Sequence, residues 1–352
     1  MRKNRTSKLS LLLLLLVGLA IVQPVPYVVE TPGPVFNTLG TSKGVPYVDI
    51  SGTQTYETSG ELNMTTVSIY GGPQRGIDLF QAIGALFSSR NHVLPREAIY
   101  PEGLTADENA TQSAEEFSTS QSYAVAAALK YLNEPVNEQV VVTSIQAGMP
   151  AHGKLQAGDV IQAVDGKQAI EPKQTVLLIR KPPVGRTVTF TVLRDGVSIE
   201  VPIKTVPKPD APKTPFVGIG LGTLYTANFP ITFGVQDVGG PSAGMMFALS
   251  IVDQLTPGEL TQGKVIAGTG TIEPDGVVGP IGGIRQKMFG ARDAGAVLFL
   301  APIENCDEVV GHVPAGMVVT PVRTLSEAVQ ALGNYKSGKV LPTCKASSKV
   351  NN

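Results

Sequence analysis

Asp237-Val-Gly-Gly-Pro-Ser242-Ala-Gly-Met245, and downstream Gly282-Gly-Ile-Arg-Gln-Lys287, are the stretches that decide how this chain folds and what it can do. Gly239 and Gly240 permit a sharp backbone turn and the close approach of another chain. The apolar run after them opens a helix, so Ser242 stands at a helix N-terminus, where backbone N–H groups point outward. Those of Ser242 and Ala243, with Gly240 shaping the turn, suit the oxyanion of a tetrahedral acyl intermediate. A serine in this place is also an ordinary helix cap. In the helix expected from Ile284, positions 284, 287, 288 and 291 share one face. They are Ile, Lys, Met and Ala, whereas Arg285, Gln286, Arg292 and Asp293 fall on the solvated side. Burial lowers a lysine pKa from about 10.4 by up to roughly 3–5 units. The neutral amine left behind can take a serine proton. The bland alternative is a lysine that buries only its stem. Together the two stretches read as a serine hydrolase, and specifically a peptidase.

Length and composition bound the rest. A chain of 352 residues holds two domains, or three. The net charge of −1 gives no electrostatic reason to expect nucleic acid. Gly and Pro, 38 and 27 without a fixed period, predict turns and short strands rather than a helical bundle. Arg2, Lys3, Arg5 and Lys8 precede an apolar run from Leu9 that continues to Val29, near the length that spans a bilayer. The expectation is a cytoplasmic tail over 1–8, a transmembrane anchor over 9–29 and everything beyond it extracytoplasmic, at the cell membrane. A cleaved signal peptide is the competing reading, although no small-x-small cleavage site follows. Cys306 and Cys344 could form one bridge outside the cell, but sequence alone does not show that they meet. Neither two cysteines nor His92, His152 and His312 at their spacing make a metal site, and no cofactor is expected.

Periodicity divides the remainder as an α+β, multidomain chain. Residues 30–135 read as short strands, a helix over Ile77–Phe87, an exposed polar loop over 101–121 and a helix over Ala114–Leu132. A β-rich unit covers 136–206, with a helix from Pro172 and a hairpin turning at Asp195-Gly196 between two alternating strands. The proline-bearing stretch 207–213 reads as a linker. In 214–335 strands and helices alternate, ending in a helix opened by the capping box Thr324-Leu-Ser-Glu327. A polar tail, 336–352, is expected to be disordered.

Two resemblances attach to these units. Gly148-Met-Pro-Ala-His-Gly-Lys-Leu155-Gln-Ala-Gly158-Asp159-Val-Ile161-Gln-Ala-Val-Asp165-Gly166 resembles the PDZ signature of bacterial proteases. That likeness implies capture of an extended peptide end at a sheet edge, although Lys130-Tyr-Leu-Asn133 is a poor match to the usual Gly-apolar-Gly-apolar loop. A β-rich spacer is the bland reading. The blocks Gly239-Gly-Pro-Ser242-Ala-Gly244, Gly268-Thr269-Gly270, Gly279-Pro-Ile-Gly282-Gly-Ile-Arg-Gln-Lys287 and Ala301-Pro-Ile-Glu-Asn305 resemble the proteolytic domain of Lon proteases. The resemblance implies Ser242 as nucleophile, Lys287 as its base and Thr269 as a hydrogen-bonding support for the amine. The chain departs from the family in having Gly239-Gly240 where an acidic residue commonly precedes Gly-Pro-Ser, and Thr271 where Thr-Gly-Glu is usual. The whole order resembles the membrane-anchored, ATP-independent Lon-like proteases of Gram-positive bacteria. It implies a protein or peptide substrate and a homo-oligomeric ring.

Three other readings compete. Gly240-Pro-Ser-Ala-Gly244 fits the G-x-S-x-G elbow of an esterase, with Asp293 or Asp307 and His312 completing the order, but few residues of the last unit precede the serine. Gly258-Glu-Leu-Thr-Gln-Gly-Lys-Val265 nearly spells a phosphate-binding loop, with Val265 where Ser or Thr must hold magnesium. It is read as a loop, so no ATP is expected. The third is an anchored PDZ scaffold whose Lon-like domain is inactive.

Overall fold

Leu298-Phe-Leu-Ala-Pro302 is buried along its whole length, as an interior parallel strand requires. The sheet around it is seen in a computed structural model that describes residues 23–72, 76–101, 103, 105–235 and 238–345. Six strands form it: β1 (Tyr27–Asn37), β2 (Glu61–Tyr70), β3 (His92–Pro95), β4 (Val265–Gly268), β5 (Leu298–Pro302) and β6 (Val318–Val322). Their spatial order is β6-β5-β4-β2-β1-β3. β2, β4, β5 and β6 run parallel, and β1 is antiparallel to β2 and β3. Helices are α1 (Leu79–Leu86), α2 (Ala106–Leu132), α3 (Gly244–Leu255), α4 (Ile284–Asp293) and α5 (Leu325–Lys336).

Strand alternation assigns the two faces. Leu62, Met64, Ile266, Leu298 and Leu300 pack with Met246, Phe247 and Leu249 of α3 and the alanine-rich stretch 124–128 of α2. Ala267, Phe299 and Val319 face Ile284, Met288 and Ala291 of α4 on the other side. Ser242 precedes α3 and Lys287 lies on α4, so the end of β4 is the place where the two layers can meet.

A second sheet carries the PDZ-like unit. Strands Val197–Lys204, Thr187–Arg194, Val160–Val164, Asn137–Ile145 and Ile219–Thr226 follow one another across it, with helix Pro172–Arg180 beside them. The predicted hairpin is present in register, Arg194 opposite Val197, with Asp195 and Gly196 both at positive φ (50° and 77°) as its two-residue turn demands. Asp159 is buried and takes two hydrogen bonds of 2.7 Å from the Arg194 guanidinium.

Several expectations are corrected. The 30–135 segment is not a unit apart, because β1 and β2 belong to the same sheet as β4–β6 and α2 packs on α3. The six-stranded sheet and its helices are thus made from both ends of the chain, with the PDZ-like sheet inserted between them. That sheet extends past 206 to Thr226, which pairs with Asn137, so the insertion leaves and returns at one point. The presumed linker at 207–213 is a hairpin, Val206–Lys208 against Ala211–Phe216. The polar stretch 101–121 is mostly helix: Thr105 and Glu108 form a capping box that starts α2 at Ala106. Residues 27–29 of the expected anchor are the start of β1, with Val28 and Val29 in the core. Residues 23–26 are irregular apart from a bridge of Val25 to Ile77, and 9–22 lie outside the described residues, among which no helix is long and apolar enough to cross a membrane. Residues 336–345 of the expected disordered tail are described, Leu341 is buried, and Cys344 is joined to Cys306.

Candidate active site

The turn before α3 is pinned from three sides. Gly240, at φ +79°, donates its N–H to Ser113 O of α2 (2.8 Å), and Ser120 Oγ donates to Pro241 O (2.9 Å). Ser242 O accepts from Gly270 N (2.9 Å) and from Thr269 Oγ1 (3.0 Å), just past the end of β4. At Gly239 a Cβ would stand 2.3 Å from Ser113 Oγ, so what the absent side chain admits here is this chain's own helix α2, not the other chain that the paired glycines predict. α3 begins with Ala243 at its N-cap position and no side-chain cap. The Ser242 hydroxyl is therefore not spent on capping.

Lys287 occupies the apolar stripe as the spacing predicts, 3% exposed between Ile284, Met288 and Ala291, all fully buried. Its Nζ lies 2.7 Å from Ser242 Oγ and 3.0 Å from Thr269 Oγ1. Because Thr269 donates its own proton to Ser242 O, its oxygen accepts an N–H from the amine. In the uncharged amine this leaves the lone pair free to be turned toward the serine. Burial pushes the Lys287 pKa down to about 7, and the Glu30 carboxylate, buried on β1, pulls weakly the other way. An amine with this pKa is partly uncharged at neutral pH. The pair can pass a proton from serine to lysine across one hydrogen bond.

Gln286 departs from expectation. It is buried, not solvated, and its amide donates to Arg90 O (3.3 Å). The loop leading into α4 is held by Asn305, which accepts from Ile281 N (3.0 Å) and donates to Ile281 O (2.8 Å). Ser113, Ser120, Glu30 and Asn305 carry no sequence signal for these tasks. Asn305 alone stood inside a quoted motif. Of the esterase candidates, Asp293 pairs with Arg90, and His312 is half-buried with Nδ1 3.1 Å from Val310 O. Lys287 holds the place an esterase gives to histidine. Residues 258–264 form an irregular loop between α3 and β4, tied by Leu260 N donating to Asp253 Oδ1 (2.8 Å), and Val265 is the first residue of β4.

In the PDZ-like unit the Gly-apolar-Gly-apolar run is present, but at the far end of the module. Gly218-Ile-Gly-Leu-Gly222 enters the edge strand Ile219–Thr226. A Cβ at Gly220 would meet Ser144 Oγ at 2.3 Å, so this strand lies very close to its neighbour.

Comparison with known proteins agrees with both units. The PDZ domain family matches residues 114–205, and the Lon protease (S16) C-terminal proteolytic domain matches residues 231–332. The chain is 32% identical over 143 residues to the Lon protease of Campylobacter concisus, covering 40% of this chain and 18% of that protein. It is 28% identical over 213 residues to the Lon protease of Escherichia coli K12, covering 58% and 22%. It thus spans about a fifth of the length of these relatives. The crystal structure of the PDZ domain of an SdrC-like protein from Listeria innocua is 31% identical, covering 24% of this chain and 92% of that one, at a TM-score of 0.22. The chain therefore carries a serine-peptidase domain of the Lon type together with a PDZ domain.

Proposed function

We propose that the chain is a serine endopeptidase working through a Ser242–Lys287 dyad. Ser242 Oγ attacks a peptide carbonyl carbon while its proton passes to Lys287 Nζ, which then protonates the departing amine. Water repeats the sequence to free the acyl group. The N–H groups of Ser242 and Ala243 at the start of α3 face the developing oxyanion. The observation that carries this is the 2.7 Å contact between the serine hydroxyl and a lysine only 3% exposed. A fluorophosphonate probe should label the full chain, and Ser242→Ala should abolish it. Absence of labelling in folded wild-type chain would favour the scaffold reading instead.

Substrate is proposed to bind as a strand. β4 ends at Gly268 opposite Met64, whereas β2 continues to Tyr70. Among the described residues, β2 has no strand partner on that side past Met64. Its free backbone groups lie beside Thr269 and can pair with an extended peptide. A cavity of about 810 Å³ bordered by Ile69, Tyr70, Tyr100, Ser113 and Glu116 adjoins the Ser113–Gly240 contact and offers room for a substrate side chain.

The cellular setting is also a proposal. The 9–22 run anchors the chain and places both units outside the cytoplasm, a reading the Cys306–Cys344 bond supports. It acts without ATP on segments already unfolded, flexible or extruded from the membrane, as a ring of copies, with the PDZ unit recruiting substrate. Because Asn137 and Thr226 are opposite one another, residues 137–226 can be replaced by a short linker. If cleavage of an unfolded protein substrate is unchanged by that excision, recruitment by the PDZ unit is wrong.

A further inference from the structure

Helix α1, Leu79-Phe-Gln-Ala-Ile-Gly-Ala-Leu86, turns its small residues inward and its large ones outward. Ala82 and Ala85 pack on Val29 and Ile77. Phe80, Ile83 and Leu86 are 61%, 41% and 69% exposed, and Phe87 at the C-cap is 88% exposed. The helix holds no charged residue. A helix facing water carries polar side chains on that side, and a contiguous apolar face of this kind marks a contact.

The path of the chain says what the contact is. Val25 N–H donates to Ile77 O at 2.9 Å, one residue before Asp78 caps α1. Pro24 sits against Gly76, where an added Cβ would come within 2.5 Å of the proline Cβ. The described chain thus begins, at Gln23-Pro24, beside the N-terminus of α1. Immediately upstream stands Leu9–Val22, apolar except for Ser10 and Gly18, preceded by Arg2, Lys3, Arg5 and Lys8. In the sequence this apolar segment ends directly before Gln23, so it joins the described chain beside α1. Tyr27 and Tyr70 are 44% and 59% exposed on the adjoining strands, and tyrosines suit the headgroup level of a bilayer.

We propose that α1 lies in the headgroup–acyl boundary of the same bilayer that carries residues 9–22, with Phe80, Ile83, Leu86 and Phe87 sunk into the outer leaflet. Leader and helix together give the proteolytic unit two attachments to the membrane. It is held flat against the surface instead of swinging on a tether. This rests on the anchored topology proposed above. Contact between copies needs no apolar segment emerging beside the helix, and a lipid surface does.

The chain contains no tryptophan, so a single Trp reports its own surroundings without background. Full-length Phe80→Trp, Phe87→Trp and, as control, Leu177→Trp of the PDZ helix (68% exposed) are reconstituted in phosphatidylethanolamine–phosphatidylglycerol vesicles. The acyl chains are either plain or brominated. Brominated chains should quench the residue-80 and residue-87 emission at least twofold and leave residue 177 within a tenth of its plain-lipid value. Emission from 80 and 87 as insensitive as that from 177, in chain that floats with the vesicles, overturns the docking of α1 alone. Blue-shifted emission at 80 without bromide quenching puts a second copy on the helix and also overturns it. Chain that fails to float with vesicles overturns the anchored topology itself.

Discussion

Replacing Lys287 by Met should stabilise the folded chain at low pH and destabilise it at high pH. Methionine matches the lysine stem in length and suits the stripe of Ile284, Met288 and Ala291. The Lys287 pKa falls from 10.5 to about 7 on folding. Between those values the unfolded chain binds more protons, so stability rises with pH by about 1.36 kcal/mol per unit. Below pH 7 both states are protonated and the full penalty applies, about 5 kcal/mol for three and a half units. Above pH 10.5 it has vanished. The substitution also removes the bonds to Ser242 and Thr269, a loss of about 1–2 kcal/mol at every pH. Thr269 keeps its bond to the Ser242 carbonyl, which limits that loss. The variant should be more stable than the parent by about 3 kcal/mol at pH 6, and less stable by about 1–2 kcal/mol near pH 10.5, changing sign between. Urea unfolding followed by far-ultraviolet circular dichroism at pH 6, 8 and 10 measures the difference, and the titrations common to both chains cancel. A difference that stays constant with pH would show that the amine is not desolvated. So would a variant already weaker at pH 6. Either would remove the basis for a neutral base at this position.

The same amine fixes the rate profile: fluorophosphonate labelling of the parent should climb about tenfold per pH unit below pH 7 and level above it. Thr269→Val should slow labelling about tenfold or more and Thr269→Ser should restore it, because only the hydroxyl both accepts from Lys287 and donates to Ser242 O. Asp253 is buried, one of its oxygens lacks a partner among the described residues, and burial lifts its pKa to about 6. Its ionised form therefore costs stability, increasingly from pH 3.8 to 6 and fully above. Asp253→Asn, which keeps the acceptor for Leu260 N, should raise the melting temperature at pH 7 and change it little at pH 4. Opening the Cys306–Cys344 bond, which closes a loop with a sequence separation of 38, should cost about 4 kcal/mol by chain entropy. Paired Ser substitutions compared with the parent in the same unfolding assay measure it.

Much of the site was legible because its chemistry is local. The glycines before Ser242, the helix after it and the stripe containing Lys287 each follow from spacing over a few residues, and the structure brings serine and lysine to 2.7 Å. Periodicity misplaced Gln286 because a helix face has no sharp border. A glutamine at its margin can be buried once its amide finds a carbonyl, here that of Arg90. The residues that hold the loop were invisible for a different reason. Ser113 and Ser120 lie on a helix whose first turns are polar, and polarity alone argued for a loop. Only the Thr105–Glu108 capping box, two residues that look unremarkable apart, starts the helix there.

The division into domains was the least legible feature, and the cause is topological. Nothing in residues 27–70 distinguishes strands of a small separate unit from strands of a sheet completed two hundred residues later. β2 carries Leu62 and Met64 into the core beside Ile266, and β4 pairs with it in parallel, yet no local pattern names that partner. The insertion costs little in the folded state because its two ends are already paired neighbours, Asn137 opposite Thr226. Loop-closure entropy grows only with the logarithm of the inserted length. What the arrangement secures is connection. Strand Ile219–Thr226 belongs to the PDZ-like sheet, gives a hydrogen bond to α2, Tyr225 N donating to Ser122 Oγ (2.7 Å), and leads within one short strand to the Ser242 turn. α2 in turn holds that turn through Ser113 and Ser120. The PDZ-like sheet and Ser242 therefore share one helix as their common support.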